Sequence, residues 1–233
     1  MGPATTGILR AGRHPGTPPR TATRCDSGKT DAPATTRIST ILPVTASRSG
    51  RKYECRPITT ANLVDLDRFS SQHGKFRWCS CMRWRMTSSK YRSSTKESRV
   101  ATLEDLVRQG QPVGVLAYED SHPVGWCSIA PRDAYGALQR SRALRRIDDE
   151  AVWSVVCFFV DRLRRGQRLT LALLRAAVEY AHAQGARVVE GYPVRPGGLY
   201  TYMGSPATFK AAGFSDVTPP GAARLVMRHV GQP

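Results

Sequence analysis

Residues 153–185 read WSVVCFFVDRLRRGQRLTLALLRAAVEYAHAQG and predict the unit around which the fold is built. The run VVCFFV at 155–160 is mostly β-branched or aromatic and has no polar face, which is typical of a strand buried on both sides. From Thr170 the apolar residues recur at helical spacing, and Gly185 is a natural helix end. The stretch therefore predicts a strand, a loop and a helix of an α/β domain.

The loop between this strand and this helix is strongly basic. Within residues 161–168 it contains Arg162, Arg164, Arg165 and Arg168. Backbone N–H groups and the dipole at a helix N-terminus favour an anion, and guanidinium groups add positive charge. The spacing alone leaves two interpretations open, an anion site and a solvated basic turn.

The composition of the whole chain favours an anionic partner. The 233 residues carry a formal net charge of +17, of which residues 1–50 contribute +5 through seven Lys/Arg and two Asp. The remaining excess lies in the folded part and favours nucleotides, phosphorylated cofactors or RNA. No apolar run reaches the roughly 18 residues of a membrane span, so no membrane partner is expected.

Two domains of different character are predicted. Residues 1–50 are rich in Thr, Arg, Pro, Ala, Ser and Gly without periodicity, so they are interpreted as a disordered basic leader. Their low acidic content resembles that of an organelle transit peptide, and an early start codon would give the same pattern. Residues 51–233 are predicted to form one folded domain with a hydrophobic core.

The six cysteines show no disulfide framework. Cys127 and Cys157 fall inside predicted strands and are interpreted as small core residues. Cys79 and Cys81 form a C-x-C motif without a second pair or a histidine at zinc-finger spacing, so no metal is expected. Free thiols are typical of a reducing cytoplasm, which is the predicted location.

The other predicted elements complete a three-layer α/β domain with a central mixed sheet. Predicted strands cover 53–59, 113–119, 124–130, 150–160, 187–192, 214–217 and 222–229. Predicted helices cover 61–69, 103–108, 133–145 and 206–212, the first two capped by Thr60 and Thr102. Residues 87–99 are polar and basic and are predicted to be a mobile loop.

The segment GKFRWCSCMRWR at residues 74–85 alternates aromatic and basic side chains. Such a pattern can stack nucleic-acid bases or line a small-molecule pocket. Because Trp78, Cys81 and Trp84 fall at helical spacing, an amphipathic helix with its aromatics in the core explains the pattern equally well.

Five stretches together resemble the GNAT superfamily of N-acetyltransferases. They are the hairpin strand PVGWCSIAP, the strand VCFFV, the helix segment ALLRAAVEYA, the strand VVEGYPV and the closing FKAAGF. The resemblance covers about residues 53–230. It is closest to a bacterial subgroup with a C-x-C-M-x-W-R segment, here Cys79 to Arg85.

This resemblance implies acyl transfer from acetyl-CoA to an amine. The family's splayed strand, whose backbone meets the pantetheine arm, maps onto Phe158, Phe159 and Val160. Its pyrophosphate loop, Q/R-x-x-G-x-G/A, maps onto Arg165, Gly166, Gln167, Arg168, Leu169 and Thr170. Arg168 stands where a glycine is expected, so either the loop takes another shape or Arg168 itself contacts phosphate.

The resemblance also suggests catalytic residues. Glu190 is the carboxylate candidate for general base, with an ion pair or a substrate anchor as the alternatives. Phe209 occupies the position of the family's tyrosine acid, so Tyr192, Tyr200 or Tyr202 would replace it, unless no protein acid is needed. The acceptor is expected against the hairpin, residues 74–85 and residues 195–204. The residues expected to contact it are Trp78, Trp84, Arg85 and Trp126.

Three functions follow. The first is an N-acetyltransferase that uses acetyl-CoA and acts on a primary amine of a small molecule, in antibiotic biosynthesis or resistance. The second keeps the fold and takes an aminoacyl group from charged tRNA, which the basic surface and the altered glycine loop would suit. The third is a non-catalytic acyl-CoA or RNA-binding module. The sequence leaves oligomeric state open.

Overall fold

The computed structural model describes residues 2, 42–44, 53–74, 79, 81–195, 197 and 201–231. The chain divides into two units, Met1–Ile38 and Ser39–Pro233. Of the first unit only Gly2 is described, so the prediction of a disordered leader lies almost wholly outside the described residues.

Among the described residues, one mixed sheet of eight strands forms the centre of this unit. In chain order the strands are β1 (Leu42–Val44), β2 (Tyr53–Pro57), β3 (Val115–Glu119), β4 (His122–Pro131), β5 (Val152–Val160), β6 (Val188–Gly191), β7 (Ser215–Asp216) and β8 (Met227–Val230). Their order across the sheet is β1-β2-β3-β4-β5-β6-β8-β7. Only β5 and β6 of these pair in parallel.

Helices cover both faces of the sheet, which confirms the predicted three-layer architecture. In chain order the helices are α1 (Leu63–Gln72), α2 (Met82–Arg85), α3 (Ser88–Ser93), α4 (Lys96–Arg108), α5 (Gly136–Gln139), α6 (Leu169–Ala183) and α7 (Pro206–Ala211). Leu173, Leu174 and Ala177 of α6 pack on one face against β2–β5. Leu66 and Phe69 of α1 pack on the other face with residues of α2 and α4. No helix in the described ranges is both long and apolar enough to span a membrane.

The predicted hairpin and the central strand–loop–helix unit are confirmed. The turn between β3 and β4 is tighter than predicted, because Asp120 and Ser121 both take positive φ, at 48° and 64°. Helix α6 ends as predicted, and Gly185 follows it at φ 84°. Strand β1 lies within the predicted leader and pairs with β2, so these three residues are ordered earlier in the chain than the boundary at residue 51 implies.

Several predictions of local structure are wrong. The first is the cap at Thr60, because the Thr59 side chain accepts from Ala61 N and caps the turn Thr60–Asn62 that precedes α1. Residues 87–99 are not a loop, because Thr87 and Thr95 cap helices α3 and α4 by accepting hydrogen bonds from Lys90 N and Ser98 N. The cap that starts α4 is therefore Thr95, and Thr102 lies inside the helix. The helix predicted over 133–145 is reduced to the single turn α5, and Ser141 Oγ accepts from Leu144 N in the irregular segment that follows.

Candidate active site

Strand β5 continues beyond the point where its pairing with β6 ends, and the space on its unpaired side is called the cleft. The parallel pairing runs from Val152↔Val188 to Val155↔Gly191 and stops there. Beyond it, β5 continues to Val160 while still paired on its other side with β4. No strand in the described part of the chain pairs with the β6-facing edge of residues 156–160. The predicted strand residues Phe158, Phe159 and Val160 lie in this free stretch.

Phe209 of α7 closes the inner end of the cleft. Its ring lies edge-on to Phe158, with centroids 6.2 Å apart. It also lies so close to β6 that a Cβ at Gly191 would be 2.1 Å from one of its ring carbons. The chain thus places an aromatic ring without a hydroxyl beside the free strand, as the sequence predicts for this position.

The loop between β5 and α6 keeps a glycine-like shape although it lacks the expected glycine. Arg168 caps α6 in the left-handed conformation, at φ 59° and ψ 15°. For a residue with a side chain this conformation costs about 1–2 kcal/mol. Gly166 takes a second positive φ, at 76°.

The charges of this loop fall into two groups. Arg164 is paired, since its guanidinium contacts Glu119 at 2.7 Å. Arg162, Arg165 and Arg168 are exposed and form no ion pair with any described residue. Gln167 anchors the loop by accepting from the Tyr53 hydroxyl at 3.0 Å and donating to Leu163 O at 3.0 Å. The loop between β5 and α6 therefore carries three exposed guanidinium groups that form no ion pair with a described residue.

Glu190 lies near the end of β6, beside the cleft, and its carboxylate belongs to a buried hydrogen-bonded network. Only 1% of the residue is exposed. Its Oε1 accepts from Arg132 at 3.0 Å and from the Tyr192 hydroxyl at 2.7 Å, and its Oε2 accepts from Arg228 at 2.9 Å. Both carboxylate oxygens are thus occupied. Of the alternatives weighed from the sequence, the geometry corresponds to the ion pair.

The three candidate tyrosines have different environments. Tyr192 is fully buried, and its hydroxyl donates to Glu190 and accepts from Ser154 at 2.9 Å. Burial first, and then the Glu190 charge, raises the pKa of Tyr192 well above its usual value. Tyr202 is 37% exposed on the turn Thr201–Met203. Tyr200 lies outside the described residues. Among the two that are described, only Tyr202 is accessible to a substrate.

The predicted acceptor-binding residues also differ in how far they are buried. Trp126 is fully buried in the core, where Nε1 donates to Cys81 Sγ at 3.1 Å, so it offers no surface to a substrate. Arg85 donates to Pro112 O at 3.0 Å and lies over the Tyr135 ring, which gives it a structural role. Trp84 is half-buried and lines a cavity. Trp78 lies outside the described residues.

Cys81 has an unusual environment for a buried thiol. It is 2% exposed and takes a positive φ of 53°, directly before α2. A hydrogen bond from Cys157, followed by those from Trp126 and Ser128, lowers the pKa of Cys81 despite its burial. Cys81 therefore connects the start of α2 to Cys157, a residue of the free edge of β5.

A cavity of about 200 Å³ lies between α2, the segment that follows α5, and the turn Thr201–Met203. It is lined by Arg83 and Trp84 of α2, by Tyr202 and Met203, and by Arg224. A separate cavity of about 680 Å³ opens near Val152 and Trp153, at the opposite end of β5. Because a strand rises about 3.3 Å per residue, that cavity is more than 15 Å along the strand from Phe158.

Sequence comparison shows the family. A model of the acetyltransferase (GNAT) family matches residues 78–195, just over half of the chain. The chain therefore belongs to the GNAT acetyltransferase family, and the resemblance seen in its motifs is confirmed. The matched span includes β5, the basic loop, α6 and β6. No curated protein matches the chain in sequence.

Three solved structures are similar to the chain at low identity. The GNAT domain of S. lividans PAT is 18% identical, with 80% of this chain and 95% of that chain covered and a TM-score of 0.48. Ribosomal-protein-alanine N-acetyltransferase from Brucella melitensis is 19% identical, with 76% and 99% covered and a TM-score of 0.44. RimJ from Mycobacterium smegmatis, in complex with CoA-disulfide, is 17% identical, with 78% and 83% covered and a TM-score of 0.45. At these identities the likeness concerns the fold alone.

Several residues at the site have no counterpart among the sequence predictions. His73, after α1, lies against Phe159 with ring centroids 5.4 Å apart, and its Nε2 is 4.0 Å from Asp161 Oδ2. Arg83 and Arg224 line the 200 Å³ cavity. Arg83 lies within the basic aromatic segment 74–85, which was a usable signal. No local pattern marks His73 or Arg224, because both reach the site only through the folding of distant segments.

Proposed function

We propose that this protein transfers an acetyl group from acetyl-CoA to a primary amine of a small molecule. One observation carries the proposal: the edge of β5 at residues 156–160 that β6 leaves unpaired is followed by a loop with three exposed guanidinium groups, and this loop ends at the N-terminus of α6. An extended chain with a phosphorylated end suits such a strand followed by such a loop. The family shown by the sequence comparison uses this donor.

The residues present suit acetyl-CoA as the donor substrate. Acetyl-CoA supplies a thioester whose acyl carbon is open to attack by an amine. The backbone of Phe158, Phe159 and Val160 offers hydrogen bonds to its pantetheine arm. Its phosphates would be held by Arg165 and Arg168 together with the first N–H groups of α6, at Leu169 and Thr170. Gly166 and Gln167 keep the loop in the shape that brings these groups together.

Proton transfer is assigned differently from the sequence prediction. Glu190 is committed to three donors, so we give it the role of fixing the end of β6 beside the cleft. His73 takes the role of proton acceptor, because its imidazole lies against Phe159 and is the side chain most often used for this purpose. Tyr202 is the described tyrosine able to reach the departing thiolate from the cavity side.

Paired variants separate these roles. His73→Gln is expected to lower kcat and change the pH–rate profile, with the free energy of unfolding kept close to that of the parent. Glu190→Gln is expected to destabilise the fold while the pH–rate profile of the folded enzyme keeps its shape. A changed profile in Glu190→Gln, with an unchanged one in His73→Gln, would return the base role to Glu190.

Isothermal titration with acetyl-CoA tests the donor. Binding in the micromolar range at moderate salt, followed by release of free CoA thiol when a primary amine is added, supports the proposal. The double variant Arg165→Gln/Arg168→Gln should bind the donor at least tenfold more weakly. Donor binding without thiol release from any of a panel of amines would favour the non-catalytic acyl-CoA-binding module instead.

Aminoacyl-tRNA remains the second candidate donor. The same three unpaired arginines favour it, since phosphate contacts dominate the binding of nucleic acids. The titration separates the two: retention of tRNA that falls steeply with salt, without binding of acetyl-CoA, would overturn the first proposal. A role in antibiotic biosynthesis or resistance and a cytoplasmic location stay predictions.

A further inference from the structure

Three cavities adjoin one another around the segments that follow α5 and precede β8. Their volumes are about 200, 340 and 510 Å³. The first and third share Ala143 as a wall, the second and third share Ala223, and the first and second share Arg224. Because each cavity shares a wall with both of the others, the three form one continuous surface.

Among the described residues, every charged side chain that lines this surface is an arginine. We call it the arginine surface, after its six members: Arg83, Arg142, Arg145, Arg146, Arg195 and Arg224. The 680 Å³ cavity at the other end of β5 differs, since three arginines and three carboxylates line it and balance in charge. A concentration of one charge sign attracts a polyanion.

Four of the six guanidinium groups are available to a partner. They are exposed and form no ion pair with a described residue: Arg83, Arg142, Arg145 and Arg195. Arg146 pairs with Asp133, and Arg224 has partners within the domain, so the inference uses neither. Asp216 lies close enough to Arg195 to sense its charge, but the two form no ion pair.

Two aromatic rings face the same surface. Trp84 is half-buried, Tyr202 is 37% exposed, and both line the 200 Å³ cavity with Arg83. Guanidinium groups bind phosphate oxygens through two parallel hydrogen bonds, and aromatic rings stack on unpaired bases. An acidic protein would use the charges alone. Arginines combined with rings therefore favour a single-stranded nucleic acid.

We propose that the arginine surface binds single-stranded nucleic acid, with phosphates on Arg142, Arg145 and Arg195 and a base stacked on Trp84. None of the arginines in the loop before α6 belongs to this surface. The inference therefore goes beyond the proposed acyl transfer, and it is independent of which donor that loop binds. It adds a macromolecular partner at a second place on the domain.

Fluorescence anisotropy of the full chain with a labelled oligouridylate tests the inference. We expect binding that weakens steeply with salt. An oligothymidylate of the same length is the second arm, and tighter binding of one of the two identifies the nucleic acid as RNA or DNA. Failure to bind either would overturn the inference. Poly-L-glutamate that competes as strongly as the oligonucleotides, at equal charge, would overturn it in favour of an acidic protein.

A triple variant locates the phosphate contacts. Arg142→Gln/Arg145→Gln/Arg195→Gln should weaken oligonucleotide binding by about tenfold or more and reduce the slope of log affinity against log salt by about 2. The matched control is Arg68→Gln/Arg92→Gln/Arg108→Gln, which removes three exposed arginines that line none of these cavities. An equal loss in the control would show that only the total charge of the protein matters, and would overturn the inference.

The contribution of base stacking is measured at Trp84. Trp84→Leu should weaken oligonucleotide binding by about fivefold or more, whereas Trp84→Phe keeps a ring and should retain most of the affinity. Binding of poly-L-glutamate should be the same in both variants, and circular dichroism checks that both are folded. Unchanged oligonucleotide affinity in folded Trp84→Leu would overturn the choice of a nucleic acid.

The donor-loop variant Arg165→Gln/Arg168→Gln keeps the two proposals separable. It should retain oligonucleotide binding, while the triple surface variant should bind acetyl-CoA within about twofold of the parent protein. Loss of oligonucleotide binding in the loop variant only would move the nucleic acid to the loop and overturn the inference. Oligonucleotide binding that is lost in the surface variant, in a protein that binds no acetyl-CoA, would refute the transfer function while the arginine surface stands.

Discussion

Two charged regions flank the cleft between β5 and β6, and they use their charges in opposite ways. In the loop before α6, the guanidinium groups of Arg162, Arg165 and Arg168 are exposed and have no described carboxylate partner. At the end of β6, Glu190 and Arg132 are each 1% exposed, and both oxygens of the carboxylate are occupied. An exposed unpaired charge costs the fold little and is available to a ligand, whereas a buried paired charge is committed to the fold.

The comparison reassigns function between the two regions. From the sequence, Glu190 is a carboxylate beside the cofactor strand and Arg168 is a damaged glycine position. In the structure, the Glu190 carboxylate is held by its buried hydrogen bonds, and Arg168 is held in the left-handed conformation, which is unfavourable for a residue with a side chain. Strain of this kind, kept at a position that faces solvent, points to a role for the side chain.

The largest effect is expected from removing one partner of the buried network. Arg132→Met should lower the free energy of unfolding by about 3–5 kcal/mol, because it leaves Glu190 buried with one guanidinium in place of two. Urea unfolding followed by circular dichroism measures the change. Arg162→Met is the matched control in the exposed loop and should change stability by less than about 0.5 kcal/mol. Equal losses in the two variants would remove the distinction between the regions.

For donor affinity the exposed loop should matter more than the buried network. Arg165→Gln removes an exposed charge of the loop and should weaken acetyl-CoA binding roughly three- to tenfold, without altering the urea midpoint. Titration at two salt concentrations measures this effect, which should be smaller at high salt. Arg92→Gln, outside the loop, controls for net charge. If Arg92→Gln weakened binding as much, the loop would act only through the total charge of the protein.

Arg168 combines a stability effect and a binding effect of opposite sign. Arg168→Gly should raise the free energy of unfolding by about 0.5–1 kcal/mol, because glycine takes positive φ without strain, and should weaken donor binding. Arg168→Lys keeps both the charge and the strain, and should therefore leave stability unchanged. Tighter donor binding in Arg168→Gly would show that the arginine obstructs the loop.

The sequence predicts the central unit of the fold because its signals are local. The apolar run of β5, the helical period of α6 and the cap Ser205 of α7 each lie within a few residues of the element they specify. Polar composition hid α3 and α4, although Thr87 and Thr95 were readable as caps.

Only part of the candidate site can be predicted from local sequence signals. The basic loop and the phenylalanine at position 209 are visible in the sequence, because both belong to continuous motifs. The pairing of Arg132 with Glu190 joins residues 58 positions apart, and Arg224 reaches Met203 from 21 positions away. Such contacts depend on strand order and register, which no local spacing specifies. Trp126 was open to misinterpretation for the same reason, since segments distant in the chain, among them α1, α2 and α4, bury it.

A pair of partly buried histidines is intermediate between the exposed arginines of the loop and the buried charges of β6. Substitution in this pair should give the smallest change in stability. His182 donates from Nδ1 to Ala186 O at 2.6 Å, and its Nε2 lies 3.2 Å from His229 Nδ1. Burial, and secondly the nearby His182, lowers the pKa of His229 from 6.5. At a pH between 6.5 and the lower pKa of the folded state, His229 is protonated in the unfolded chain but neutral in the folded chain. The free energy of unfolding therefore falls as the pH drops below about 6.5. His229→Gln should flatten this slope by about 0.5 kcal/mol or less between pH 7 and pH 5, measured by urea unfolding at each pH. A steeper slope in the variant would mean that protonation of His229 stabilises the fold, and that a half-buried charge here behaves like the paired charges of β6.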